Sequence, residues 1–93
     1  MTTNAGEPAS ASKPTIDVYW RPGCGFCSRL ERDIRAHQLE ATFHNIWDDP
    51  GAAAFVRSVA RGSETVPTVT VAGRSMVNPS IHDVLAALAD ALA

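Results

Sequence analysis

The chain is poor in the features that mark several large classes of protein. Its 93 residues hold 8 Lys and Arg against 10 Asp and Glu, so it lacks the basic surplus of a nucleic-acid-binding module. The longest uninterrupted apolar run, residues 84–89, has six residues, whereas a membrane helix needs about 20. Two cysteines are too few for a disulfide-built scaffold. These shortages predict one small domain that binds neither nucleic acid nor a membrane.

The first residues predict neither a secretion signal nor a folded segment. No basic start is followed by an apolar stretch, so we expect no secretory leader. Residues 1–14 are small and polar, contain proline and show no apolar periodicity, which predicts a flexible N-terminal tail. We therefore expect one folded domain over residues 15–93, working as a monomer in the reducing cytoplasm.

Apolar residues follow strand and helix periods in turn along residues 15–93. Alternation predicts strands over residues 15–20, 41–47, 67–71 and 75–77. Phe26, Leu30 and Ile34 recur every four residues and predict the first helix, while Pro50 and Ser80 mark the starts of two more. The order β-α-β-α-β-β-α predicts an α/β fold, with a four-stranded mixed sheet and helices on both faces.

The motif Cys24-Gly25-Phe26-Cys27 lies between the first predicted strand and the first predicted helix, at the start of that helix. Unpaired amides and the positive end of the helix dipole stabilise an anion there, and Arg21 can add positive charge. Both effects lower the pKa of the Cys24 thiol from about 8.5 towards neutral, which favours attack on a disulfide. Cys27, one turn further on, can close a disulfide and is predicted to be less exposed. This hypothesis requires a Cys24 sulfur that solvent can reach.

A CxxC motif is also half of a zinc or iron–sulfur site. Zinc would need two more ligands, and the spacings of His37, His44 and His82 from Cys27 match no zinc-finger pattern. His37 is more simply a contact to a helix C-terminus, and His44 a residue on a strand surface. We therefore predict no metal site. An iron–sulfur cluster shared between two chains stays open as an alternative, against which Cys27 offers a competing disulfide.

Thr65-Val66-Pro67 opens the third predicted strand. A proline that starts a strand is common, because its missing N–H falls outside the ladder. If the bond between Val66 and Pro67 is cis, the same residues form a rigid shelf whose backbone can hydrogen-bond a substrate. Both interpretations stay open from the residues alone.

The two motifs in this order resemble a glutaredoxin of the thioredoxin superfamily, over residues 15–93. The resemblance implies a thioredoxin-like fold, with Cys24 as the nucleophile and Cys27 as the second thiol. It also implies that Pro67 is a cis-proline facing them and that Val66 pairs with the substrate backbone. The substrate-binding residues predicted in this way are Arg21, Gly25, Phe26, Val66, Pro67, Asn78, Pro79 and Ser80.

Two positions depart from glutaredoxins that use glutathione. Glu64 stands where they usually carry a basic or polar residue, and it would repel the carboxylates of glutathione. Asn78-Pro79-Ser80 replaces a Gly-Gly segment, removing backbone freedom and one N–H. This segment, together with the cysteine motif, is similar to mycoredoxins, which work with mycothiol in GC-rich bacteria. The sugar and inositol groups of mycothiol are uncharged, so they need none of the residues that bind the carboxylates of glutathione.

The leading hypothesis is an enzyme that reduces mixed disulfides between proteins and a small thiol. The resemblance implies mycothiol, or else glutathione, as thiol co-substrate, S-thiolated proteins as partners and no tightly bound cofactor. The alternative is a redoxin that reduces protein disulfides with electrons from a flavin disulfide reductase, for which both cysteines are needed. A purely structural adaptor is the last alternative. That function would make no use of the polarised thiol pair.

Overall fold

The computed structural model describes residues 14–93, so all of the predicted tail except Pro14 lies outside the described residues. The strands are β1 (Ile16–Trp20), β2 (Thr42–Asn45), β3 (Thr68–Val71) and β4 (Arg74–Val77). The helices are α1 (Gly25–Ala36), α2 (Pro50–Val59) and α3 (Ile81–Leu92). The predicted order of elements is thereby confirmed. No helix among the described residues combines the length and apolar character that crossing a membrane requires.

The four strands form one mixed sheet in the order β2-β1-β3-β4. β1 is parallel to β2 and antiparallel to β3, which in turn is antiparallel to β4. Trp20 pairs with Asn45, and Thr68 pairs with Val77. The ends of β1, β2 and β4 and the start of β3 therefore share one edge of the sheet. We call this edge the functional edge, because every predicted site residue lies in a segment that adjoins it.

The helices cover both faces of the sheet, as predicted. Strand residues alternate, so Val18 faces α1 and α3 whereas Tyr19 faces α2. The larger core cluster consists of Ile16, Val18, Leu30, Ile34, Val69, Val71, Ile81, Val84 and Ala87. The smaller one consists of Ile46, Ala52, Ala53 and Val56. Both cores join helix to sheet, so they fix where each helix begins relative to the functional edge.

One residue of the predicted helical stripe is not part of the core. Leu30 and Ile34 are buried, but Phe26 is 65% exposed. The helix that the spacing predicted is present, but Phe26 does not share the buried face of Leu30 and Ile34. Its place in the first turn of α1 explains the difference, since that turn follows the cysteine loop beyond the strand ends and the core cluster begins at Leu30.

The boundaries of α2 and α3 follow from their caps. Asp49 accepts hydrogen bonds from Gly51 N and Ala52 N at 3.0 and 3.2 Å, ahead of Pro50 in the first helical position. The helix ends at Val59, and Gly62, three residues later, has a positive φ of 90° and donates to Arg57 O at 2.8 Å.

The start of α3 is a capping box that makes stability depend on pH. Ser80 N donates to Asp83 Oδ2 at 2.9 Å, and Asp83 N donates to Ser80 Oγ at 3.1 Å. The hydrogen bond from Ser80 N foremost, and then hydrogen bonding by the Ser80 side chain, lowers the pKa of the Asp83 carboxyl. A depressed carboxyl pKa stabilises the fold above the unfolded value of about 3.9, and this contribution is lost as the pH falls through the folded pKa.

We therefore expect Asp83→Asn to unfold at lower urea than the wild type at about pH 7, with a difference that shrinks by about pH 3. Glu40→Gln is the matched control, because Glu40 is an exposed carboxylate outside any helix. Ser80→Ala should cost about 1 kcal/mol of unfolding free energy, as loss of an N-cap does. A difference between Asp83→Asn and the wild type that stays constant with pH would contradict the capping argument.

Candidate active site

The cysteine pair lies in the middle of the functional edge. Cys24 is the N-cap of α1, and Cys27 lies in its first turn. Their Cα atoms are 5.2 Å apart, and their sulfurs are bonded in a disulfide. Cys27 N donates to Cys24 Sγ at 3.1 Å, so a backbone amide of the helix start points at this sulfur. This amide lies at the N-terminus of α1, where the positive end of the helix dipole is also found.

The predicted exposure of Cys24 is not found in this oxidised form. Cys24 is 7% exposed and Cys27 is 5% exposed, so both residues are buried. Cys27 is the less exposed of the two, as predicted, but the difference in exposure is negligible. The Cys27 sulfur and the Val66 carbonyl, which is 3.8 Å from Cys24 Sγ, both lie against the Cys24 sulfur. Exposure therefore does not carry the redox assignment, which must stand on the geometry of the pair and on family membership.

The Val66–Pro67 bond is cis and lies against the cysteine pair. Val66 O is 3.8 Å from Cys24 Sγ, and Pro67 is buried beside it. Asn78 N donates to Pro67 O at 2.7 Å, which ties this loop to the segment after β4. The structure thus brings together three segments predicted for the site: the cysteine motif, the Val66–Pro67 loop and the segment that begins at Asn78. Of the two interpretations that the residues left open, it has the cis bond.

A cleft of about 350 Å³ lies between α1 and the start of α3, and Phe26, which stands between the two cysteines in the chain, is one of its lining residues. It is lined by Phe26, Arg29, Leu30, Asp33, Asn78, Pro79, Ser80, Ile81 and His82. The predicted residues Phe26 and Asn78–Ser80 therefore meet in one place. Sequence reasoning missed Arg29 and Asp33. Their spacing of three and seven residues from Phe26 could have placed them on the same helix face.

Arg21 and Gly25 take different places from the rest. The Arg21 guanidinium donates to Pro22 O at 3.2 Å and lies 5.7 Å from the ring centroid of Trp47. An aromatic face and a carbonyl are therefore the contacts of this cation, and its predicted effect on the Cys24 sulfur stays a prediction. Gly25 begins α1 with open space around it, since a Cβ there would meet nothing within 4 Å.

Glu64, which precedes the cis-proline loop, forms an ion pair with an arginine of α2. Its carboxylate accepts a hydrogen bond from Arg57 of α2 at 2.6 Å, and both side chains are about half-exposed. The expected repulsion of a carboxylate ligand is therefore reduced by a cation that sequence reasoning did not connect to Glu64. A separation of seven residues across a helix end gives no periodic signal for such a pair.

The histidines do not join the cysteines in a metal site. No group of three or more His, Cys, Asp and Glu side chains converges anywhere in residues 14–93. His37 caps α1, with Nδ1 2.8 Å from Asp33 O, as its helix-end position predicted. His44 lies on β2 as predicted and is half-buried, with Nε2 2.9 Å from Asp17 Oδ1 and its ring stacked on Tyr19. Burial foremost, then the nearby carboxylates including Asp17, raises the pKa of Tyr19.

The glutaredoxin family model matches residues 16–76, which include the cysteine pair and the cis-proline loop. The chain belongs to the glutaredoxin family. Two relatives from Mycobacterium tuberculosis, of strains H37Rv and CDC 1551, carry the name glutaredoxin. Each is 38% identical over 74 residues, which cover 78% of this chain and 88% of the relative. As a glutaredoxin-family protein with a CxxC pair, the chain is a redox protein.

Solved structures share the thioredoxin-like fold that the sequence predicted. The thioredoxin-like protein BC3987 superposes with a TM-score of 0.70 at 20% identity, covering 80% of this chain and 100% of its own. The holo form of glutaredoxin C1 from Populus tremula x tremuloides gives 0.64 at 19% identity, with coverages of 82% and 84%. At these identities the likeness concerns the fold, which is confirmed.

Proposed function

We propose that this glutaredoxin reduces mixed disulfides between proteins and mycothiol, with Cys24 as the nucleophile. The observation that carries the proposal is the Cys27 N–H directed at Cys24 Sγ at the start of α1. A thiolate at this place is stabilised where a substrate disulfide must arrive, beside the Val66 carbonyl. Its setting is the reducing cytoplasm, where the chain acts as a monomer on S-thiolated proteins.

The proposed reaction exchanges one disulfide for another at each step. Cys24 thiolate attacks the mycothiol sulfur of the mixed disulfide; a Cys24–mycothiol bond forms, and the protein leaves as a thiolate that takes up a proton. A second mycothiol thiolate attacks the bound mycothiol sulfur, forms the mycothiol disulfide and releases Cys24 thiolate. Where Cys27 attacks Cys24 first, mycothiol leaves and the observed Cys24–Cys27 disulfide results.

The chemistry of the cleft supports a small thiol without carboxylates. At its α3 end, Pro79 has no N–H to offer, and the N–H of Ser80 is taken by the Asp83 carboxylate. The charges of Arg29 and Asp33 along α1 offset each other. A sugar or inositol needs neutral hydrogen-bonding partners rather than a cluster of cations. The segment after β4 also resembles mycoredoxins, and the curated relatives are mycobacterial.

The deciding experiment reduces one S-thiolated protein with mycothiol and then with glutathione at equal concentration. We expect mycothiol to give a rate at least about tenfold higher, the ratio that 1.4 kcal/mol of differential binding produces. Glu64→Gln should raise the glutathione rate by removing a carboxylate and freeing Arg57, while Glu40→Gln should not. Faster reduction with glutathione in the wild type would overturn the choice of small thiol and leave the fold and the thiol chemistry in place.

The bonded cysteine pair favours a second candidate, a redoxin that reduces protein disulfides with electrons from a flavin disulfide reductase. That cycle passes through the Cys24–Cys27 disulfide, which is the state described here. It requires both thiols, whereas reduction of mixed disulfides requires Cys24. Recycling of the oxidised protein by a flavin reductase, compared with recycling by mycothiol, separates the two candidates.

A further inference from the structure

Trp47 is a large apolar side chain that the proposed reaction does not use. It is 63% exposed, close to the 65% of Phe26, which lines the cleft. A tryptophan left open to water on a small domain forgoes the burial that stabilises folding. Exposed aromatic surface next to a reactive centre indicates contact with another molecule.

The sheet order places Trp47 at the functional edge, on the side opposite the cleft. Trp20 ends β1 and pairs with Asn45, which ends β2. The next residue, Ile46, donates to Trp20 O at 2.9 Å and is buried, so the turn that presents Trp47 is anchored to the strand leading to Cys24. Along the order β2-β1-β3-β4, Trp47 follows the first strand and the Asn78 segment of the cleft follows the last.

The backbone of Trp47 is fixed in a turn, and a cation lies near its ring. Its backbone N–H donates to Asn45 Oδ1 at 2.9 Å, within a turn that an Asn45–Asp48 hydrogen bond also closes. The Arg21 guanidinium lies 5.7 Å from the ring centroid. A backbone fixed in this way need not be ordered when a partner covers the indole, and Trp and Arg are the residues that dominate binding energy at protein interfaces.

The geometry of disulfide exchange divides the space around Cys24 between two molecules. The attacked mixed disulfide has a small-thiol half and a protein half, and both must lie within a bond length or two of the same sulfur. The cleft of about 350 Å³ takes the small half on the α3 side. The bulkier protein half is left with the other side, where Arg21, three residues before Cys24 in the chain, lies 5.7 Å from the ring centroid of Trp47.

We propose that Trp47, backed by Arg21, is the docking surface for the protein half of the mixed disulfide, and that it contacts an apolar side chain next to the modified cysteine. This inference rests on the proposed function. The charges around the ring do not select a partner of one sign, because the cation of Arg21 is opposed by the exposed carboxylates of Asp48 and Asp49. Recognition therefore depends on apolar contact with the indole.

The test compares two substrates of the same small thiol, using whichever thiol the wild type accepts. One is an S-thiolated protein, and the other is the small disulfide of that thiol with 2-mercaptoethanol. Trp47→Ala should lower kcat/KM for the protein about tenfold or more, through KM, and leave the small disulfide within about twofold. Trp47→Phe should restore part of the loss. Leu92→Ala is the control, because Leu92 is equally exposed, at 67%, in the last turn of α3.

Peptides sharpen the test of partner chemistry. Two S-thiolated peptides that differ only in leucine or serine beside the modified cysteine should differ in KM with the wild type and become equal with Trp47→Ala. Equal loss on protein and small disulfide would assign Trp47 to the small thiol, for instance through its sugar, and overturn the inference. Unchanged kinetics on both, or the same loss with Leu92→Ala, would also overturn it. Failure of the wild type on every mixed disulfide would instead refute the proposed function.

Discussion

Replacement of Cys24 by serine is expected to reduce mixed-disulfide turnover to the uncatalysed background. The serine hydroxyl keeps the N-cap position of α1 but provides no thiolate to attack the substrate sulfur. Cys27→Ser should keep a rate of the same order as the wild type, because its sulfur enters only when the internal disulfide closes. Coupled reduction of one S-thiolated protein measures both variants under identical conditions.

The contrast between the two cysteine variants is what tests the mechanism. Equal loss in both would refute the route through Cys24 alone and favour the redoxin cycle, which needs the pair. A second measurement follows alkylation of the reduced protein against pH. Cys24 should react at a pH where free cysteine is still protonated, since the Cys27 N–H donates to its sulfur. Alkylation that parallels free cysteine would remove the physical basis of the assignment.

Ile34→Ala is expected to have the largest effect on stability. Ile34 is 1% exposed in α1 and belongs to the core between that helix and the sheet. Truncation of a buried isoleucine leaves a cavity and costs about 2–5 kcal/mol, a large part of the roughly 5–15 kcal/mol that stabilises a domain. The free energy of unfolding in urea, measured with the disulfide intact, gives the loss directly.

Two further variants keep this result interpretable if the alanine variant does not fold. Ile34→Val removes one methylene and should cost about 0.5–1.5 kcal/mol. Phe26→Ala changes the exposed member of the same helical stripe and should cost less than Ile34→Ala, because Phe26 is 65% exposed. A larger cost at Phe26 than at Ile34 would contradict the account of where the core ends.

Local patterns predicted the parts of the fold that depend on neighbours in the chain. Alternation located β1, the helical spacing of Leu30 and Ile34 located α1, and Ser80 located the start of α3. The cysteine pair follows from the same kind of information, because its two residues share one helical turn. The spacing does not report burial at Phe26, because the first turn of α1 lies outside the core that begins at Leu30.

The sequence by itself determined which elements form, in which order, and that two thiols meet at the start of a helix, because these depend on periods of a few residues. Only the tertiary structure decided which distant side chains meet: Arg21 with Trp47, Glu64 with Arg57, and Pro67 with Asn78. Strand order and register bring such pairs together at the functional edge. No local period encodes them, since their separations follow from how the whole sheet is assembled.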